Sequence, residues 1–247
     1  MLENNNLFKV FCLILKDMAE VPKHIGIIVD GNRRFAKRLM AKPWKGHEWG
    51  YEKIKRVMEW CREFDIHELT LYTFSIENFD RPKDEFDYIM DLCLKAFTEL
   101  KNEKEKVKDI SIKFIGRIQM FPEKVQKAMN ELMDATKDHV PFRVNFAMAY
   151  GGRAEIIDAV KKLAEQVKEG KVDVGEINEK MFAKNLYINS DPDLVIRTSE
   201  KRLSGFLTWQ SVYSEIIFVE KLWPEFEKED FIACLDDFKD RQRRFGR

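Results

Sequence analysis

A chain of 247 residues, 45% of them hydrophobic, is long enough to bury a substantial core and short enough to form a single α/β domain. Lys+Arg and Asp+Glu balance at 43 each for a formal net charge of +0, so no global basic field attracts nucleic acid and any anion site must be local. Cys12, Cys61, Cys93 and Cys234 are scattered without paired spacing, which argues against a zinc site or a disulfide framework and fits a reducing, cytoplasmic compartment.

The first feature along the chain is an apolar run over residues 7–15, interrupted by Lys9 and far short of the roughly 20 residues a spanning helix needs. No positive charge precedes it, so it does not read as a signal peptide. Residues 1–20 are expected to form an amphipathic helix, packed on the body of the protein or lying at a membrane surface. Short β-rich runs then alternate with helical patterns. Strands are predicted at 25–29, 69–74, 111–115, 143–149, 194–197 and 216–219, and helices at 51–64, 84–106, 123–135, 153–168 and 228–241. That alternation predicts βαβ units: a central, mostly parallel sheet of about six strands flanked by helices. Several strands are apolar without alternation, as strands covered on both faces are. With no internal repeat and no Pro/Gly/Ser linker, residues 1–247 are read as one domain.

Ligands of an open parallel sheet bind beyond the carboxyl ends of its strands. Three segments at such positions are dense in polar residues. The first, Asp30-Gly31-Asn32-Arg33-Arg34-Phe35-Ala36, joins a carboxylate to two guanidinium forks and suits a metal-bound diphosphate. A tight turn with solvated arginines is the plainer alternative. His47, in Gly46-His47-Glu48-Trp49-Gly50, sits at a helix start, where a cap or a packed ring is as natural as a functional group. The second segment is Phe74-Ser75-Ile76-Glu77-Asn78-Phe79-Asp80-Arg81-Pro82, whose polar residues project into one crevice between Phe74 and Phe79 or simply lead into the next helix. The third, residues 191–207, concentrates Arg197, Arg202 and Ser204, with Glu215 following at another strand's start. Two anion sites suggest two phosphorylated substrates.

These segments, in this order and spacing, resemble the cis-prenyltransferase family, which includes undecaprenyl and dehydrodolichyl diphosphate synthases. The similarity runs from about His24 to the C-terminus and is carried by Asp30-Gly31-Asn32-Arg33-Arg34, by Phe74-Ser75-Ile76-Glu77-Asn78-Phe79 with Arg81-Pro82, and by Arg202-Leu203-Ser204-Gly205-Phe206-Leu207-Thr208-Trp209-Gln210. The resemblance implies sequential cis-condensation of isopentenyl diphosphate onto an allylic prenyl diphosphate, giving a long-chain polyprenyl diphosphate that serves as a glycosyl carrier lipid precursor. It implies that Asp30 binds Mg2+ and assists departure of the allylic diphosphate, which Gly31, Asn32, Arg33 and Arg34 cradle beside Phe35. Asn78, with Ser75 and His47, is implied in proton removal, and Ile76, Glu77, Phe79 and Arg81 in lining the substrate site. Arg197, Arg202, Leu203 and Ser204 are implied to hold isopentenyl diphosphate, with Glu215 a further Mg2+ ligand. Arg244 and Gly246, in the ending Arg243-Arg244-Phe245-Gly246-Arg247, are implied to reach the neighbouring site of a homodimer. A peripheral membrane contact would serve product release. The second string looks closer to archaeal and eukaryotic members, which favours geranylgeranyl over farnesyl diphosphate as starter. Apolar residues of 90–100 and 142–148 either line a tunnel for the growing chain or pack as plain core.

The chain departs from the family pattern in three places. It reads Arg197-Thr198-Ser199-Glu200-Lys201-Arg202, one residue short and without a glycine; Pro43 stands where an arginine is frequent, with Lys42 or Lys45 nearby; and Phe35 stands where Trp is common. Three rival readings are weaker. Asp236-Asp237-Phe238-Lys239-Asp240 matches the metal motif of the all-helical trans-prenyltransferases, yet that chemistry needs two facing motifs in a helical bundle. A non-catalytic partner subunit of the same fold would lack Asp30 and the arginine-rich first segment. A nucleotide-binding protein is disfavoured because neither a P-loop nor Gly-X-Gly-X-X-Gly occurs, and Gly151-Gly152 reads as a helix-entry turn needed for close packing.

Overall fold

The computed structural model describes residues 21–241; the expectation of a helix over 1–20 falls outside them, as do Arg244 and Gly246. Six strands form one sheet: β1 His24–Ile28, β2 Glu68–Ser75, β3 Ile110–Ile115, β4 Phe142–Tyr150, β5 Leu194–Thr198 and β6 Glu215–Val219. Their order is β3-β4-β2-β1-β5-β6 and every pairing is parallel. The predicted strands are all present, within one or two residues at each end. A parallel sheet needs a crossover between successive strands; helices supply each one except that from β5 to β6, where residues 199–214 cross in turns.

The helices are α1 Asn32–Arg38, α2 Gly46–Glu63, α3 Lys83–Asn102, α4 Lys104–Val107, α5 Glu123–Thr136, α6 Gly152–Lys168, α7 Glu179–Lys184 and α8 Lys228–Asp240. The helix predicted over 84–106 is broken at Glu103 (φ −83°, ψ 58°) into α3 and α4. The helix predicted from residue 51 begins at Gly46, which puts His47 in its first turn.

Although the strands read as apolar throughout, their two faces differ. Ile25, Ile27, Leu69, Leu71, Ile112, Val144 and Ile196 point into the main core, where they meet Val57 and Cys61 of α2, Ile89 and Phe97 of α3, Met129 of α5 and Phe231 of α8. Met90, Leu100, Phe142, Val144, Phe146 and Met148, the two stretches read as tunnel lining or core, are packed in this layer. The opposite face carries a smaller cluster of Ile28, Tyr72, Tyr150, Val195, Phe206 and Leu207. Gly26 is required there. A Cβ at that position would meet Cε1 of Phe206 at 2.8 Å, so the glycine lets that ring lie on the sheet, stacked 5.2 Å from Tyr72. Among the described residues no helix is long and apolar enough to cross a membrane.

Candidate active site

The carboxyl ends of β2, β1 and β5 lie side by side at the centre of the sheet, and the three polar segments leave from them. Asp30 follows β1 by two residues. Its backbone is pinned by the neighbouring strand: its N–H donates to Thr198 Oγ1 at 3.1 Å, its carbonyl accepts from Thr198 Oγ1 at 2.8 Å and from the Trp223 N–H at 2.9 Å. Gly31 must be glycine. Its φ is +111°, and a Cβ would meet Leu222 Cβ at 2.9 Å. From this sharp bend α1 starts at Asn32, so the segment predicted as a loop is half helix, with Arg33 and Arg34 in the first turn.

The Asp30 carboxylate lies between two guanidinium groups. Arg34 reaches Oδ1 at 3.1 Å and Arg197, 3% exposed, reaches Oδ2 at 3.0 Å. Arg197 also donates to Ser204 Oγ at 2.7 Å and to the Arg202 carbonyl, which fixes the third segment against the first. That segment is anchored in turn by Phe206 on the sheet and by the Gly205 carbonyl, which accepts from the Gly152 N–H at 2.8 Å. Of the glycine pair it is Gly152 that serves close packing: a Cβ there would lie 2.2 Å from Thr208 Oγ1, whereas one on Gly151 would make only ordinary contacts. Glu200, which the sequence reading gave no role, bridges Arg34 at 2.9 Å and Arg202 at 2.8 Å. The shortened loop is accommodated by Ser199, which takes the left-handed conformation (φ +76°) usual for glycine.

The second segment forms the opposite wall. After a register shift in the β2–β4 ladder at Phe74 and Ser75, residues Ile76–Asp80 coil into a 3-10 turn. Asn78 closes this turn by accepting the Ser75 N–H on Oδ1 at 3.1 Å, which leaves its amide N–H groups as donors. Next to it His47, Arg81 and Arg33 converge on a buried carboxylate, Glu85, that sequence reasoning missed. Glu85, 2% exposed, accepts from Arg81 and lies 3.5 Å from Arg33 and 3.7 Å from His47. His47, then Arg81 and Arg33, hold the Glu85 carboxyl down to about 2. Burial, aided by the charge of Arg81, lowers the His47 pKa. His47 Nε2 stands 3.2 Å from Arg81 Nη1 and 3.7 Å from Glu85 Oε1, so this nitrogen faces a guanidinium and a carboxylate at once. The only trace of Glu85 in the sequence is its spacing of four from Arg81, which stands just ahead of the helix that carries Glu85.

Together these walls enclose a crevice of about 710 Å³ lined by Asp30, Gly31, Asn32, Arg33, Arg34, His47, Ser75, Glu77, Asn78, Arg81, Arg197 and Ser204, with Lys37 at its side. Other predicted residues lie elsewhere. Phe35 packs edge-on to Trp49 at 5.4 Å, Phe79 stacks into an aromatic group with Phe74, Phe86 and Phe121, and Ile76 sits against Gly151. Leu203 packs against the smaller cluster, and Arg202 stands at the rim through Glu200. Glu215 is not at this site within the chain. It pairs with Leu194 at the amino end of β5, four residues and about 13 Å along the strand from Thr198, and Arg241 holds it at 3.1 Å.

Residues 28–246 match the family model described as putative undecaprenyl diphosphate synthase. The chain belongs to the cis-prenyltransferase family. Relatives named tritrans,polycis-undecaprenyl-diphosphate synthase (geranylgeranyl-diphosphate specific) include that of Methanopyrus kandleri, 43% identical over 98% of this chain and 92% of its own, and that of Methanocaldococcus jannaschii, 44% identical over 100% and 91%. Among solved structures, lavandulyl diphosphate synthase from Lavandula x intermedia in complex with dimethylallyl diphosphate superposes with a TM-score of 0.88 at 32% identity, covering 92% of this chain and 99% of that one. A probable undecaprenyl diphosphate synthase from Campylobacter jejuni does so with a TM-score of 0.77 at 35% identity, covering 93% and 100%. The cis-prenyltransferase fold and prenyl-transferring activity follow, and the scaffold-only and helical-bundle readings lose their ground. As for a metal, the described residues of this cis-prenyltransferase hold no group of three or more His, Cys, Asp or Glu that would cage one. The crevice carboxylates, Asp30 and Glu77, suit Mg2+, which is commonly held by one or two carboxylates together with substrate phosphates and water.

Proposed function

We propose that the chain condenses isopentenyl diphosphate in the cis sense, repeatedly, onto an allylic diphosphate, with geranylgeranyl diphosphate as starter, and so makes a long-chain polyprenyl diphosphate of the glycosyl carrier type. One observation carries the reading. A single crevice gathers Asp30 with guanidinium groups from all three segments, Arg33 and Arg34, Arg81, and Arg197, which is what two diphosphate groups held close together require. The printed names of the archaeal relatives support the choice of starter.

In the proposed reaction C1 of the allylic substrate bonds to C4 of isopentenyl diphosphate as its C1–O bond breaks. A proton then leaves C2. Charge accumulates on the departing diphosphate, where fixed donors contribute most. Arg33 and Arg34 hold that group, while Arg197 and Ser204, with Arg202 at the rim, hold the isopentenyl diphosphate. Mg2+ held at Asp30 would neutralise phosphate oxygens. The proton acceptor is the departing diphosphate itself, since Asn78 offers amide donors rather than a base. Asn78 and Ser75 therefore position that diphosphate. The prenyl tail points past Phe74 and Phe79 toward the main core.

The chain is proposed to act as a homodimer through the open β6 edge, where Val212, Tyr213 and Phe218 are exposed, with Arg244 and Gly246 contacting the partner's crevice. The test supplies the purified chain with Mg2+, labelled isopentenyl diphosphate and either geranylgeranyl or farnesyl diphosphate, and sizes the products. Long labelled polyprenyl diphosphates, formed faster from geranylgeranyl diphosphate, are expected. An absence of product from either starter would support the partner-subunit alternative.

A further inference from the structure

A rigid tip projects beside the crevice and takes no part in the reaction described above. Between α1 and α2 the chain runs Arg38-Leu39-Met40-Ala41-Lys42-Pro43-Trp44-Lys45. Its base is locked. The Ala41 N–H donates to the Ala36 carbonyl at 2.9 Å, and Gly46 lies so close to Asn32 that a Cβ there would fall 1.9 Å from the Asn32 carbonyl oxygen. Held in this way, the tip presents Met40, 96% exposed, and Leu39, 53% exposed.

Two features make the exposure meaningful. Met40 has φ +52°, a left-handed conformation that glycine adopts at lower cost, yet an unbranched apolar side chain stands there fully in water. Around it the charge is one-sided: in a chain of net charge +0, residues 32–45 include Arg33, Arg34, Lys37, Arg38, Lys42 and Lys45 and no acidic residue. Arg33, Arg34, Arg38 and Lys45 pair with carboxylates from elsewhere. Among the described residues Lys37 and Lys42 enter no ion pair, and Lys42 lies 5.2 Å over the half-buried Trp44 ring, which in turn packs on Tyr88.

We propose that residues 39–45 are a docking surface for a lipid bilayer carrying anionic headgroups. Leu39 and Met40 enter the acyl boundary, Trp44 lies at headgroup level, and Lys37 and Lys42 face the anionic charge. Two side chains at a tip are too few for a stable protein interface, which takes about 800 Å² from each partner. Insertion into a fluid interface needs no matching surface. Because Lys37 also lines the crevice and α1 is only about 10 Å long, docking sets the crevice mouth beside the headgroups. The purpose of that placement, release of an apolar chain with a diphosphate head directly into lipid, rests on the proposed reaction; the docking itself does not.

Co-sedimentation of the full chain with vesicles of phosphatidylcholine, alone or mixed with phosphatidylglycerol, tests this. Binding to the mixed vesicles, weakened by added salt, is expected. The double substitution Leu39→Glu with Met40→Glu should weaken it at least about tenfold, and Lys42→Glu about fivefold, with thermal melting unchanged in both. Phe11→Asp, in the apolar run of the first 20 residues, should leave most of the binding. The proposal is overturned if no vesicle is bound, if the double substitution binds as tightly as the unaltered chain, or if Phe11→Asp alone abolishes binding. Vesicle binding is read without turnover, so it fails or stands independently of the condensation reaction.

Discussion

The two ends of the central strands each carry a connected polar cluster, one largely uncharged and one of arginines and carboxylates, with opposite outcomes. At the amino end Asn145 donates to Glu68 Oε1 at 2.8 Å and to Thr70 Oγ1 at 3.0 Å, Ser190 donates to Glu68 at 2.8 Å, and His24 Nε2 lies 2.8 Å from Thr70 Oγ1. Every one of these except Ser190 is buried, and the groups bond to one another, with His24 Nδ1 left without a partner. At the carboxyl end Asp30, Arg34, Glu200 and Arg202 form an equally connected chain, of which Asp30 and Arg34 line an open crevice. Polar groups that close on each other in the interior fix the fold. Those that pair only along a cavity wall, with arginines in contact with solvent, are exchangeable: a diphosphate can take the place of the Glu200 and Asp30 oxygens on the same guanidinium forks.

The largest expected difference between the two ends is in turnover. Asp30→Ala should lower kcat by about 10²–10³ or more, with little change in the denaturation midpoint, because the removed carboxylate lies in the crevice and Arg197 keeps Ser204 and the Arg202 carbonyl. Steady-state kinetics beside a urea melt separate the two effects. A large loss of stability with turnover per folded molecule intact would make the carboxyl end structural like the other.

Glu85 lies between these extremes, a buried carboxylate that holds crevice residues. Its folded pKa is depressed from about 4.5 to about 2, so its contribution to stability is complete above about pH 4.5 and is lost as pH falls toward 2. The shift corresponds to roughly 3 kcal/mol. Chemical denaturation across that window should show the decline in the unaltered chain and a flatter profile in Glu85→Gln. The same substitution frees Arg81 and His47, so a fall in kcat/KM at neutral pH is expected. Asn145→Ala tests the amino end directly: it should cost about 1–3 kcal/mol by leaving buried acceptors unmet, while kcat per folded molecule stays unchanged.

Much of this organisation was legible in the sequence. The strands were found because runs such as 194–197 and 25–29 are apolar on both faces, and the site because the three polar segments follow strand ends. Short elements escaped: α1 and α7 have seven and six residues, too few for an apolar period to emerge. Glu85 and Glu200 escaped because a carboxylate within a charged helix or loop reads as solvated, and only tertiary packing turns it toward arginines. That Glu215 lies apart from Asp30 within the chain was hidden for the reverse reason. The order of motifs along a chain does not say which end of a strand a residue occupies, and the β5–β6 register places Glu215 at the far one.

The smallest effect is expected at the one sequence that imitates a metal motif. Asp236 and Asp237 lie on α8, where Asp237 pairs with Arg241, at the helix C-cap, at 2.8 Å and Asp236 with Lys239 at 3.4 Å, four and three residues apart respectively. Arg241 hydrogen bonding lowers the Asp237 pKa, which accounts for its charge without a metal. Half-exposed pairs of this kind contribute about 0–1 kcal/mol. The double substitution Asp236→Asn with Asp237→Asn should therefore leave turnover within about twofold and stability within about 1 kcal/mol. Loss of turnover in that variant, measured with the same labelled substrate, would move the metal chemistry from the strand ends to α8 and reverse the contrast between the carboxyl-end crevice and the rest of the molecule.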